Sequence, residues 1–148
     1  MRLVLFEPDI PQNAGSLIRL GACMGVAVDV IEPCGFVFSQ GAMRRAGMDY
    51  LGLADVVRHT SWSVYLAQAK GRIVLATTRA AMPYAEHSFA PDDNIVLGRE
   101  SAGVPDAVHD RVEARLRIPM KSGLRSVNVA QAGAMILGEA LRQTRLFP

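Results

Sequence analysis

A chain of 148 residues, half of them hydrophobic, can bury the core of one domain and is too short to suggest two, so a single domain over residues 1–148 is expected. No apolar run approaches the ~20 residues that span a bilayer, and Arg2 leads straight into a short apolar run with no leader-like segment, which points to a cytoplasmic protein and no membrane partner. The net charge of +2 argues only weakly for an anionic partner, although 14 of the 16 basic residues are arginine, which reflects either a need for phosphate-gripping forks or a coding bias.

The first apolar run, Leu3–Phe6, reads as a strand. Behind it Ala14, Leu17, Ile18, Gly21 and Met24 recur at helical spacing and Gly25 supplies a stop, so a helix connects to a second strand at Ala27–Ile31 in a βαβ unit. From Gly35 to Leu53 the chain reads as loop with a short helix over 40–46; Phe36, Phe38 and Tyr50 there suit packing better than a base-stacking platform, and Arg44 and Arg45 form a basic pair. A third strand falls at Asp55–Val57, and Ser61 can cap a helix running through Ala69 and ending near Gly71.

Strands follow at Ile73–Ala76, Asn94–Leu97 and Arg115–Ile118, with Arg111, Arg115, Arg117, Lys121 and Arg125 crowding the approach to the last loop. Ser126 can cap a final helix carrying Val129, Gly133, Ile136, Leu137 and Ala140 on one face. Its many small residues allow another backbone to approach closely, either the chain's own sheet or a second subunit. Continuous apolar strands alternating with helices predict an α/β fold, a parallel sheet with helices on both faces.

Three polar, glycine-bearing loops each follow a predicted strand: 13–19, 97–105 and 118–134. In an open parallel sheet such loops converge at the carboxyl ends of the strands, so one composite site is expected. No G-x-G-x-x-G follows the first strand and no P-loop motif occurs, which argues against a standard dinucleotide or nucleoside-triphosphate site. Cys23 and Cys34 lack metal-ligand spacing and are expected as free thiols, while His59, His87 and His109 have no nucleophile elbow or metal pattern and read as structural or surface residues. No metal is predicted. The specific residues left are Asn13 and Arg19, Arg99 and Glu100, and Arg125, Ser126 and Asn128.

On these residues the chain resembles the SpoU branch of the SPOUT RNA methyltransferases. The family's three motifs match Asn13-Ala-Gly-Ser-Leu-Ile-Arg19, Leu97-Gly-Arg-Glu-Ser-Ala-Gly-Val-Pro105, and Ile118-Pro-Met through Arg125-Ser-Val-Asn128, in the same order and at similar separation. Among its members the likeness is closest to the short TrmL-like (YibK-like) ones, through Glu7-Pro-Asp-Ile-Pro-Gln-Asn13, Ile31-Glu-Pro33, Arg44-Arg-Ala-Gly47, Asp49-Tyr50, Thr77-Thr78 and Glu139-Ala-Leu-Arg-Gln143. Two positions differ: Ser16 stands where relatives often have Asn, and Ala130-Gln131 where they have Ser-Asn.

The resemblance implies a C-terminal deep trefoil knot, S-adenosylmethionine bound among its loops, and a site completed across a homodimer. The implied reaction moves a methyl group to a ribose 2′-hydroxyl in the anticodon stem-loop of tRNA, at the wobble nucleotide, cytidine or a modified uridine. By the same alignment cofactor contacts fall to Ala76, Gly98, Ile118 and Ser126, and the catalytic set is Arg19, Asn13, Glu100 and Asn128. Arg19 either takes the hydroxyl proton or orients the ribose, an ordinary guanidinium being a poor base. Asn13 either caps the first helix or orients Arg19 and substrate, and Ser126 doubles as a helix cap. The alternatives are the same transfer at another tRNA position or on ribosomal RNA, a catalytically silent RNA-binding dimer, and a nucleotide-binding module unrelated to RNA.

Overall fold

A computed structural model describes residues 1–39, 41 and 52–148. The expected helix over 40–46, Arg44, Arg45, Asp49 and Tyr50 lie outside them. Among the described residues seven strands form one sheet: β1 (Arg2–Phe6), β2 (Ala27–Ile31), β3 (Val56–His59), β4 (Ile73–Ala76), β5 (Met82–Pro83), β6 (Asn94–Leu97) and β7 (Ala114–Arg117). Their order is β3-β2-β1-β6-β4-β7-β5 and every neighbouring pair runs parallel. Thus β6 lies between β1 and β4, and β7 between β4 and the two-residue edge strand β5.

Side chains alternate across a strand, and both faces of this sheet are covered. Leu3, Leu5, Val28, Val30, Val74, Ile95, Leu97 and Leu116 pack beneath α1 (Pro11–Met24) and a long C-terminal helix, while Val4, Phe6, Ile31, Leu75 and Val96 face Tyr65, Val104 and Val108 on the other side. The second layer comes from α2 (Trp62–Gln68) and the one-turn helix α3 (Asp106–His109); the C-terminal helix, α4, spans Val129–Thr144. Burial of β1, β2 and β6 on both faces explains why their sequences lack the polar alternation of a half-exposed strand, the one charge in β2, Asp29, being itself buried.

The helix ends are set by local chemistry. Pro11 opens α1 at a position where its missing N–H costs nothing, and Gly25 closes it in the left-handed region at φ 65°, with Val26 N–H returning to the Gly21 carbonyl at 2.8 Å. Asn13 therefore stands inside α1 and does not cap it; the residue at the cap is Ile10, which offers no side-chain acceptor. Ser61 does cap α2, accepting from the Val64 N–H at 3.3 Å, a contact worth ~1 kcal/mol. For α4 the cap is Asn128 rather than Ser126: its Oδ1 accepts from the N–H groups of Ala130 at 2.8 Å and Gln131 at 3.4 Å, and Ser126 lies two residues upstream in an exposed stretch outside any helix or strand.

Gly133, Ile136, Leu137, Ala140 and Leu141 form the buried face of α4. At Gly133 an added methyl would lie 2.5 Å from a Leu17 methyl and 2.8 Å from one of Leu97, so the close partners there are α1 and β6 of the same chain. The amino ends of the strands are pinned by buried polar groups. Asp93, fully buried, takes the Arg72 fork at 2.7 and 2.8 Å, and the Asn94 amide donates to the Lys70 carbonyl at 2.6 Å. The carboxyl ends remain open.

Candidate active site

A cavity of about 500 Å³ lies at the carboxyl ends of β6, β4 and β7. Its walls are Ile10 and Asn13 at the start of α1, Ala76–Thr78 beyond β4, Leu97–Glu100 with Gly103 and Val104 beyond β6, Leu116, Ile118 and Met120 along β7 and its exit, and Arg125–Val129 with Ala132 and Ile136 leading into α4. All three glycine-bearing loops contribute, as does a fourth at Thr77–Thr78. Such a volume suits a single small organic ligand. Leu97, Ile118, Met120 and Ile136 supply apolar surface, while Thr77, Thr78, Ser126 and Arg125 supply hydroxyl and guanidinium groups. This mixture of apolar surface and polar groups fits an amphipathic ligand.

Along one side of the cavity runs a chain of hydrogen bonds. The Asn128 Nδ2 donates to Asn13 Oδ1 at 3.0 Å, and the Asn13 Nδ2 donates to Glu100 Oε1 at 3.0 Å. The other Glu100 oxygen accepts from the Asp9 backbone N–H at 3.1 Å. Three helices or loops distant in sequence are thereby tied together, with Asn128 serving at once as cap and as link. Burial lifts the Glu100 carboxyl above the usual carboxylate range and its hydrogen bond with Asp9 adds to the effect; that same bond holds Asp9 down to about 2.

Beside this chain, Arg99 forms an ion pair with Glu7 at 2.6 Å. Glu7 sits at φ 45°, an uncommon conformation for a residue with a side chain. Its backbone is held there by an N–H bond to the Ile31 carbonyl at 2.9 Å, so the turn out of β1 is fixed at both backbone and side chain. Gly98 permits the β6 exit to fold back on itself: a methyl at this position would meet the backbone of Gly103 at 2.8 Å, and the Arg99 and Gly103 backbones bond reciprocally at 3.0 and 2.9 Å.

Of the residues singled out from sequence, Asn13, Ala76, Gly98, Glu100, Ile118, Ser126 and Asn128 all line this cavity. Arg19 does not; it is exposed on α1, six residues and ~9 Å of helix axis beyond Asn13. Asp9, whose backbone N–H and carboxylate both bond the Glu100–Ser101 turn, is the residue that sequence reasoning missed. It stands within Glu7-Pro-Asp-Ile-Pro-Gln-Asn13, a segment in which the resemblance gives a role only to Asn13. The histidines stand away from the cavity: His59 Nε2 lies 2.6 Å from Asp29, His109 is buried in α3, and His87 packs edge-on against Phe89. Phe36 and Phe38 pack against the core with their rings stacked 6.2 Å apart. Cys23 and Cys34 are free thiols, and burial pushes Cys34 up to about 11. Among the described residues no cluster of His, Cys, Asp and Glu could hold a metal ion, and no helix is long and apolar enough to cross a membrane.

Comparison with known proteins gives a consistent result. A family model described as the SpoU rRNA Methylase family matches residues 1–138. A protein of Ancylobacter novellus named tRNA (cytidine(34)-2′-O)-methyltransferase is 53% identical over 150 residues, covering 99% of this chain and 95% of its own. A solved structure concerned with 2-OH methylation of C/U34 on tRNA superposes with a TM-score of 0.90 at 36% identity, covering 96% of this chain and 94% of the other. The fold is shared as well by a SpoU methyltransferase of Streptomyces viridochromogenes in complex with the cofactor AdoMet, at a TM-score of 0.83 and 24% identity over 97% of this chain and 60% of that one.

Proposed function

The chain belongs to the SpoU rRNA Methylase family, and from that premise we propose that it is a tRNA 2′-O-methyltransferase acting on the ribose of nucleotide 34, cytidine or a modified uridine. The observation that carries this reading is the cavity itself, where the three motif loops meet and Asn13, Glu100 and Asn128 form one hydrogen-bonded chain along its wall. The near full-length relatives carry tRNA nucleotide 34 in their names, which favours tRNA over ribosomal RNA as the substrate.

S-adenosylmethionine would be held by backbone at Ala76, Gly98 and Ile118 and by the Ser126 hydroxyl, against the apolar wall formed by Leu97 and Ile136. When bound, it supplies an electrophilic methyl group on its sulfonium. The chain's own residues then have two tasks: to hold the ribose hydroxyl in line with that methyl, an arrangement worth ~7–11 kcal/mol, and to take or share the hydroxyl proton. Asn13, Glu100 and Asn128 form a rigid polar wall for the first. Arg19 is assigned to the second, as base or as the group that orients the ribose.

Arg19 lies outside the lining of its own chain's cavity, which supports a homodimer in which α1 of one protomer completes the partner's site. The outer surface of α4 is in keeping with this: Ala134 is exposed, Met135 is 42% exposed, and a methyl added at Gly138 would meet nothing within 4 Å. The remaining elements of the reading are one catalytic domain over 1–148, a cytoplasmic setting, the anticodon stem-loop as the docking region, and a trefoil knot at the C-terminal end. The knot is supported by the way β6 and β7 insert between earlier strands before α4 packs back onto α1 and β6.

The test is transfer of labelled methyl from S-adenosylmethionine to total unmodified tRNA, with the product nucleotide mapped. A 2′-O-methyl at nucleotide 34 is expected. Transfer elsewhere would keep the reaction and replace the target, whereas cofactor binding without transfer would put a silent RNA-binding dimer in its place.

A further inference from the structure

Asp9 stands outside the cavity lining, yet two loops close on it. Its Oδ1 accepts from the Glu100 backbone N–H at 3.1 Å, and its Oδ2 accepts from the Ser101 N–H at 3.4 Å and from the Ser101 hydroxyl. In return, its own N–H donates to the Glu100 carboxyl at 3.1 Å. From the opposite side comes the exit loop of β2: the Gly35 N–H donates to the Pro8 carbonyl at 2.9 Å, and a methyl at Gly35 would lie 2.7 Å from the Asp9 Cβ and 2.8 Å from its Cα. Pro8 precedes Asp9 and Pro11 follows two residues later, each with a restricted backbone. Asp9 therefore has little freedom of its own, and the Glu100 turn takes its position from it.

Beyond Glu100 the hydrogen bonds continue through Asn13 to Asn128 and the first turn of α4. We propose that Asp9 is a positioning residue for methyl transfer: by fixing the Glu100 carboxyl and the turn that carries it, it sets where Asn13 and Asn128 stand at the cavity wall. This rests on the methyltransferase reading above. The anion suits the task, because its oxygens act only as acceptors toward the two N–H groups and the hydroxyl. A neutral amide in its place would have to turn an NH2 toward one of those donors. Were Asp9 only a staple between loops, its loss would lower stability and act on kinetics independently of Asn13.

The experiment compares Asp9→Ala and Asp9→Asn in the full chain, each alone and combined with Asn13→Ala. Two readouts are taken: steady-state methyl transfer with tRNA varied, and the amide proton shifts of Ala130 and Gln131, with Val64 on the Ser61-capped helix as internal reference. Asp9→Ala should lower kcat about tenfold, the scale of one lost charged hydrogen bond, while KM for tRNA stays within about twofold. On the Asn13→Ala background it should cause little further loss, because the two residues act as one unit. The Ala130 and Gln131 shifts should move and that of Val64 should not.

An equal fractional loss on both backgrounds, a change confined to KM, or unmoved Ala130 and Gln131 shifts would overturn the assignment. If Asp9→Ala does not fold, Asp9→Asn keeps the shape and one acceptor and carries the same comparison, with an expected loss of about threefold. If the parent chain itself transfers no methyl, the methyltransferase reading falls separately. The relay is then judged by the shifts alone: movement at Ala130 and Gln131 retains it, and none ends it.

Discussion

The side-chain amide of Asn128 donates to that of Asn13 at 3.0 Å, joining residues 115 positions apart in the chain. One oxygen and one nitrogen of the same Asn128 side chain thus do different work: Oδ1 caps α4, and Nδ2 reaches α1. The two can be separated by mutation.

Asn128→Ser keeps a good N-cap but is too short to reach Asn13, so stability should change by less than ~0.5 kcal/mol. Methyl transfer should nevertheless fall by roughly fivefold, the worth of one neutral hydrogen bond of ~1 kcal/mol. Asn128→Ala removes both functions and should additionally lower the urea midpoint. Unchanged methyl transfer in Asn128→Ser would show that Nδ2 carries no separate role.

Both Glu100 oxygens accept from N–H groups, Oε2 from Asp9 and Oε1 from the Asn13 amide, and glutamine keeps the shape and one of these two acceptors. Glu100→Gln should retain activity within about threefold, whereas Glu100→Ala leaves the Asp9 N–H and the Asn13 amide without their acceptor, at ~1–3 kcal/mol for each group left unpaired. Urea unfolding and single-turnover transfer measured side by side decide between shape and charge.

Arg19→Ala should bind S-adenosylmethionine as the parent does and lose methyl transfer, since Arg19 lies outside the cavity lining. With a site shared across the proposed dimer, mixing Arg19→Ala with Asn128→Ala protomers should restore part of the activity, because one of the two sites in a mixed dimer would regain both residues. Calorimetry for binding and transfer assays on refolded mixtures supply the test; no recovery despite demonstrated exchange would place Arg19 within its own subunit's site.

Among the glycines, Gly98 and Gly133 should respond differently to alanine. At Gly98 the new methyl meets the Gly103 backbone, which cannot yield without opening the β6 exit, whereas at Gly133 it meets the terminal methyls of Leu17 and Leu97, which can repack. Gly133→Ala should cost ~1–3 kcal/mol. Gly98→Ala should exceed that and abolish cofactor binding, as read by thermal shift with and without S-adenosylmethionine.

Stability should decline as pH falls below about 6.5, where unfolded histidine takes up a proton. Burial, and then Arg72, holds His87 below that value; burial, and then Arg79 and Arg115, does the same for His109. Both imidazoles stay neutral in the folded chain while the unfolded chain protonates, so the folded state loses ground from near 6.5 downward to the folded values. Asp9 contributes nothing in this window, since at about 2 it stays ionised throughout. Urea midpoints between pH 8 and 5.5 should fall for the parent chain and fall less for His109→Gln.

The sequence was most legible where local patterns decide. Leu3–Phe6, Ile73–Ala76 and Asn94–Leu97 are continuous apolar runs, and each is a strand within one residue of its expected bounds. The third strand begins one residue later than expected and continues to His59, because His59 finds a buried partner in Asp29 that no local pattern announces. Both β5 and α3 are too short, at two and four residues, to leave a periodicity. Ser126 and Asn128 are equally good caps on composition, and the choice between them depends on where the loop lands on α1. The role of Asp9 was invisible because the partners of its carboxylate, Glu100 and Ser101, lie more than 90 residues away.

The strand order also bears on how the chain emerges from the ribosome. Both sheet neighbours of β4, namely β6 and β7, are made after it, and β1 has no link to β4 until β6 slides between them. A nascent chain ending at residue 92 would carry β1, β2 and β3 able to pair with one another, beside an apolar β4 with two open edges. Such distant pairings are slow to form and leave sticky edges exposed during the wait. The last third of the polypeptide is therefore what protects the middle from misassociation, and truncated translation products of this gene should be far more prone to aggregate than the finished protein.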